Sequence, residues 1–209
     1  APCPSGMSRF CGGLVGYFGY DTVRLIEHKL NGHAPIDTLD TPDIVLLLSE
    51  ELAVVDNLSG KLYLIVYVNP ENDQAYQTGC DRIRTLLSKL RQPVSIPTEH
   101  AVTSGVAVSE FPEANFKAAV ERAKRYIYDG DIMQVVLSQR TSKSFSASPL
   151  ALYRALRSLN PSPYMFFYHF NDFYVVGASP EILVRLEDLT VTVQRICWLI
   201  PKNGRNTSC

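Results

Sequence analysis

The sequence predicts an α+β fold, a layered antiparallel sheet with flanking helices. Three observations carry this. Short apolar runs separated by turn residues mark consecutive strands between residues 43 and 68. Apolar positions at helical spacing mark helices near residues 76–90 and 116–127. A two-residue turn, Asn171-Asp172, joins the aromatic run 164–170 to the apolar run 173–177 as a hairpin. Hairpins mixed with helices fit α+β better than a doubly wound parallel sheet.

The elements follow in order. Residues 11–20, CGGLVGYFGY, interleave glycine with Leu14, Val15, Tyr17, Phe18 and Tyr20. Glycines inside such a run mark a bulge or the close approach of another backbone, so the run reads as a buried strand. It fits neither G-x-G-x-x-G nor the lysine-containing phosphate loop. Asp21 is placed to cap a short helix through His28. Strands then follow at 44–48, 52–56 and 62–68, the last entered by the turn Asn57-Leu58-Ser59-Gly60, which together read as a meander. Tyr76, Cys80, Ile83, Leu87 and Leu90 form one helical stripe that ends before Pro93. Residues 92–109 lack periodicity and read as a loop.

Pro112 suits a first helical turn, and Phe116, Ala119, Val120, Ala123 and Ile127 make an apolar stripe that stops at Gly130. Residues 132–137 read as a strand. Ser148-Pro149 supplies the N-cap and first-turn residues of a helix through Leu159. After the 164–177 hairpin come strands at 182–186 and 190–193. No internal repeat is visible.

Composition narrows the function classes. The chain has 209 residues, 46% apolar and 20% charged, with a mean hydropathy of −0.01, which are the proportions of a folding globular chain. Lys and Arg total 20 against 21 Asp and Glu, a net charge of −1. This gives no electrostatic footprint for nucleic acid or for an anionic membrane. No apolar run reaches the ~20 residues that span a bilayer, and the first residues lack the order of a signal peptide, so the sequence reads as cytoplasmic. The five cysteines are odd in number and scattered, arguing against a disulfide framework or structural zinc. His28, His33, His100 and His169 are isolated and read as structural. No cluster of metal ligands is legible.

Two segments carry more. In Gly130 to Arg140, GDIMQVVLSQR, polar Gln134, Ser138 and Arg140 share one face by the period of a strand. Two readings stand: a row of groups facing a site, or an amphipathic strand with one wet face. In Asn160 to Phe167, NPSPYMFF, two prolines stiffen the backbone ahead of an aromatic cluster. Such a corner either holds a flat ligand or turns the core.

Taken in order, GGLVGYFGYD (12–21), GDIMQVVLSQR (130–140), NPSPYMFF (160–167) and GASPE (177–181) resemble the large, chorismate-binding subunit of anthranilate synthase. The resemblance covers residues 10–193. It implies the conversion of chorismate and ammonia or glutamine to anthranilate and pyruvate, the first step of tryptophan biosynthesis. It also implies Mg²⁺ on the substrate carboxylate, a glutamine amidotransferase subunit as partner, and tryptophan as feedback inhibitor. The metal would act as a Lewis acid while the ring C–O bond breaks. In related isochorismate and salicylate synthases a lysine matching Gln134 activates water. A glutamine amide cannot serve as a base, which suits ammonia as nucleophile and makes Gln134 the candidate catalytic-site residue. Pro163, Tyr164 and Met165 would contact tryptophan. The pocket's second wall in the family is an L-L-E-S-type strand, and none precedes Gly12.

The sequence departs from the family after Val193. There it reads Gln194-Arg195-Ile196-Cys197-Trp198 where the family continues into a P-I-A-G-T-R-x-R-G segment and then the metal- and chorismate-binding residues. Residues 10–193 are therefore expected to be a partial, incomplete synthase-like region, and 194–209 a divergent tail of the kind a reading-frame slip produces. Such a chain is expected to be inactive alone. The alternatives are the homologous aminodeoxychorismate synthase component I and a non-catalytic binding module.

Overall fold

A computed structural model describes residues 6–7, 10–30, 32–34, 36–94 and 105–193. The expected tail, 194–209, lies outside them, as do His100 and residues 95–104 of the expected loop. The chain divides into two compact units, 1–96 and 97–209.

In the first unit β1 (Gly13–Phe18) pairs antiparallel with β2 (Ile44–Ser49), Gly13 facing Ser49 and Phe18 facing Ile44. The glycines are there because the partner backbone comes close. A Cβ on Gly16 would lie 1.8 Å from the Val45 carbonyl oxygen. Gly12, at φ +144°, has the Tyr67 ring 2.4 Å from the same position. The Gly19 N–H donates to the Asp43 carbonyl at 2.6 Å, and the Tyr17 hydroxyl to that of Pro42 at 2.7 Å. The strand is not the buried one expected: Leu14 and Phe18 are exposed. A 3₁₀ turn, Tyr20–Leu25, starts at Gly19 and not at Asp21. Asp21 instead accepts from Arg24 Nε at 2.6 Å.

The second ladder joins β3 (Glu51–Asp56) to β4 (Lys61–Val66) through the expected turn. Asp56 shapes it, accepting the Leu58 and Ser59 N–H groups at 2.9 and 3.2 Å and the Ser59 hydroxyl at 2.5 Å. The expected meander does not form. One residue, Glu50, separates β2 from β3, whereas a hairpin needs two in its turn. The chain thus leaves one ladder for another. Helix α1 (Ala75–Leu90) packs on β4, its buried Gly79 lying beside Val68 just past the strand, and Arg82 ties it down by donating to Glu51 at 2.6 Å and to the Tyr67 carbonyl at 2.9 Å. Cys11 is buried and disulfide-bonded, which the scattered cysteine spacing did not foretell, and Cys80 is a free thiol.

The second unit opens with β5 (Val108–Ser109), followed by α2 (Glu113–Asp129), which Gly130 ends at φ +84°. The expected strand at 132–137 is absent. A strand exists only where a neighbour satisfies its backbone, and among the described residues none pairs with it. Pairing resumes at β6 (Thr141–Ser142), opposite β5. Helix α3 (Pro149–Leu159) begins as expected, with the Ser148 hydroxyl accepting the Ala151 N–H at 3.2 Å.

The hairpin of β7 (Tyr164–Phe170) and β8 (Phe173–Ser179) turns at Asn171, φ +38°. α3 packs on it, with Tyr153 edge-on to Phe167 at 5.9 Å. The other face carries Phe166, Tyr168 and Phe170 at successive ring distances of 5.4 and 5.5 Å. The last ladder pairs β9 (Val184–Glu187) with β10 (Thr190–Val193). The class is α+β as read. Among the described residues the antiparallel pairing is confined to five two-stranded ladders, and the only buried hydrophobic side chains are those of Cys11 and Phe170.

Candidate functional site

The corner before β7 is built from two Ser-Pro dipeptides. α3 ends at Asn160, and Pro161 and Pro163 fix the backbone on either side of Ser162. The Ser162 hydroxyl donates to the Ser179 carbonyl at the end of β8 and accepts the Tyr164 N–H at 3.2 Å. Ser179 in turn donates its hydroxyl to the Glu181 carbonyl at 2.9 Å. NPSPYM and GASPE, far apart in sequence, are thus joined at one end of the hairpin, where Tyr164 faces Ser179 and Met165 faces Ala178. The repeated Ser-Pro was the legible signal for this contact, and the sequence reading missed it.

Pro163 is exposed, Tyr164 is 43% exposed and Met165 is half-buried. By the period of a strand Tyr164 and Met165 leave β7 on opposite faces. Met165 shares the face on which α3 packs, and Tyr164 shares that of Phe166 and Tyr168. A ligand touching both residues therefore sits at the leading end of the strand, beside Pro163, and not in a pocket on one face.

The second segment is less assembled than its spacing predicted. Gln134 and Ser138 are exposed. Arg140 is drawn away into a pair with Glu110, its Nε donating to the carboxylate at 2.6 Å while Gln139 donates to the Ser109 hydroxyl, also at 2.6 Å. The Arg140 hydrogen bond, assisted by its charge and by Ser142, holds the Glu110 carboxyl below its usual range. The three polar groups do not converge. Ile132, Val135 and Leu137 line an apolar cleft of about 480 Å³ against α2, with Asn115 and Arg122 as its polar members. Among the described residues no three His, Cys, Asp or Glu side chains come together to hold a metal ion, and no helix is long and apolar enough to cross a membrane.

Comparison with known proteins adds what this geometry lacks. The family described as chorismate binding enzyme matches residues 2–197. Anthranilate synthase component 1 of Neisseria gonorrhoeae is 54% identical over 193 residues, which are 91% of this chain and 39% of that protein. The protein of the same name from Pseudomonas putida is 48% identical over 205 residues, 95% of this chain and 41% of its own length. A crystal structure of anthranilate synthase component I from Streptococcus pneumoniae superposes with a TM-score of 0.75 at 33% identity, covering 90% of this chain and 43% of that one. The chain spans about two-fifths of the length of the relatives it matches.

Proposed function

The chain belongs to the chorismate binding enzyme family, and from that premise we propose that it carries part of an anthranilate synthase large subunit, which converts chorismate and ammonia or glutamine to anthranilate and pyruvate. The observation that carries this is the 54% identity to a protein of that name across 91% of the chain. Gln134 fits the reaction. Its amide can orient a neighbour by hydrogen bonding but cannot take a proton from water, so ammonia is not displaced as nucleophile.

In this reading Mg²⁺ supplies charge neutralisation at the substrate carboxylate. The described residues do not fit the ion, since their carboxylates do not cluster. A glutamine amidotransferase subunit supplies the ammonia. Tryptophan inhibits at the corner formed by Pro163, Tyr164 and Met165, where the Ser162 clamp fixes the backbone on which an indole would rest. Cytoplasm as compartment belongs to the same proposal.

The test is a chimera in which residues 10–193 replace the matching span of the Neisseria gonorrhoeae protein. With chorismate, Mg²⁺ and ammonium it should release fluorescent anthranilate and pyruvate. Release of aminodeoxychorismate without pyruvate would assign the chain to that homologous synthase instead.

A further inference from the structure

We propose that the hydroxyls of Ser162 and Ser179 form a relay that carries ligand occupancy at the Pro163–Met165 corner into residues 180–183, the link between β8 and β9. Ser179 acts in it as a positioning residue, through the backbone it holds. The inference rests on the reading of that corner as the tryptophan site and adds the route by which binding there is felt elsewhere.

Backbone chemistry makes the two hydroxyls necessary. Proline has no N–H to donate, so neither Pro163 nor Pro180 can extend the β7–β8 ladder beyond its last pair, Tyr164 with Ser179. Each serine instead reaches two residues along its own chain, across a proline. The Ser162 hydroxyl accepts the Tyr164 N–H at 3.2 Å, and the Ser179 hydroxyl donates to the Glu181 carbonyl at 2.9 Å. The Ser162 hydroxyl also donates to the Ser179 carbonyl, which joins the two Ser-Pro units across the end of the hairpin. Tyr164, Ser162, Ser179 and Glu181 are thus linked in one series.

Three features make the series stiff. Ser162 and Ser179 are half-buried, so water competes less for their bonds. The rings of Pro163 and Pro180 fix φ, which leaves each three-residue unit little freedom to absorb a displacement. The hairpin does not absorb it either. A Cβ on Gly177 would overlap the Phe166 ring, so that ring, on the residue after Met165, already lies on the β8 backbone two residues before Ser179. A ligand wedged against Pro163 and Tyr164 therefore shifts the Ser179 carbonyl and, through the hydroxyl of the same residue, Glu181. Contiguous hydrogen bonds and rigid elements are what such coupling travels through.

The test compares the chimera carrying residues 10–193 with its Ser179→Ala and Ser179→Thr variants. Calorimetry gives the tryptophan dissociation constant, and the ratio of kcat/KM without and with saturating tryptophan gives the inhibition, each variant scaled to itself. Ser179→Ala should bind tryptophan within about threefold of the parent chimera while its inhibition ratio falls about fivefold or more, the lower end of ordinary coupling factors. Ser179→Thr keeps the hydroxyl and should restore the ratio. A role confined to hairpin stability would lower the Tm of Ser179→Ala and leave the ratio unchanged. Where a variant turns over too slowly, amide exchange at residues 181–187 replaces the ratio: tryptophan should alter it in the parent chimera and in Ser179→Thr but not in Ser179→Ala. Undiminished inhibition in Ser179→Ala with binding intact overturns the relay alone, as does a failure of Ser179→Thr to restore coupling. Loss of tryptophan binding in Ser179→Ala also overturns it, because the serine would then belong to the binding site itself. A chimera that binds no tryptophan, or whose binding is indifferent to Met165→Thr, overturns the reading of the corner and the relay with it.

Discussion

Asp56 and Glu110 are held below the usual carboxylate range by different partners. The Ser59 hydroxyl and the Ser59 and Leu58 N–H groups stabilise the charged form of Asp56. Arg140 does so for Glu110. Because the folded values are lowered, each contribution is complete above the unfolded value, ~4, and is lost as pH falls through the folded one. The Leu58 and Ser59 amide resonances should therefore titrate below the ordinary aspartate range, and Asp56→Asn should abolish that transition. The Arg140 pairing also explains why Gln134, Ser138 and Arg140 do not form the row their spacing implied. A charge 30 residues away is invisible to a period-two count.

Two substitutions, one at the corner and one in the 130–140 segment, separate inhibition from chemistry. In the chimera, Met165→Thr should raise the inhibition constant for tryptophan by about tenfold, since losing an apolar contact worth ~1.5 kcal/mol corresponds to that factor. Turnover without tryptophan should stay nearly intact. If Gln134 lines the reaction site as proposed, Gln134→Lys adds a possible base there and should divert some chorismate to a hydroxylated product. Product chromatography checks the second. Abolished turnover in Met165→Thr, or an unchanged profile in Gln134→Lys, would contradict the assignment of those two roles.

At the scale of the elements, the legible parts were those set by local chemistry. Gly130 ending α2, Ser148 capping α3 and the Asn57–Gly60 turn all act within a few residues. The glycines of β1 were legible as a close backbone approach, though not the identity of the partner. Gly16→Ala would drive a methyl into the Val45 carbonyl, so it should destabilise the β1–β2 ladder by about 1–3 kcal/mol, seen as faster amide exchange in both strands. The opposite sign is expected at the β9–β10 turn. Leu189 sits there at φ +61°, 97% exposed. A β-carbon is penalised by about 1–2 kcal/mol in that region, and Leu189→Gly should slow exchange across Val184–Val193. The meander and the 132–137 strand were misread for one reason: alternation shows that a segment can be a strand, while pairing depends on which backbone lies beside it.

For the whole molecule, the fold class was legible in the strand runs, helical stripes and hairpin turn and the family in four motifs taken in order, while the packing was not. Two-stranded ladders are marginal in water unless a third strand or a helix covers them, and the only hydrophobic side chains that the described residues bury are those of Cys11 and Phe170. The same openness governs ligand binding. Tyr164 and Met165 diverge across β7, so the isolated chain should bind tryptophan more weakly than micromolar in calorimetry.

The most direct measurement is anthranilate fluorescence from chorismate, Mg²⁺ and ammonium, taken in parallel on the isolated 209-residue chain and on the chimera carrying its residues 10–193. The account predicts no product above a no-protein control from the isolated chain, whose described residues gather no metal-binding carboxylates, and steady production from the chimera. Turnover by the isolated chain, or a folded chimera that binds chorismate and forms no anthranilate, would contradict it.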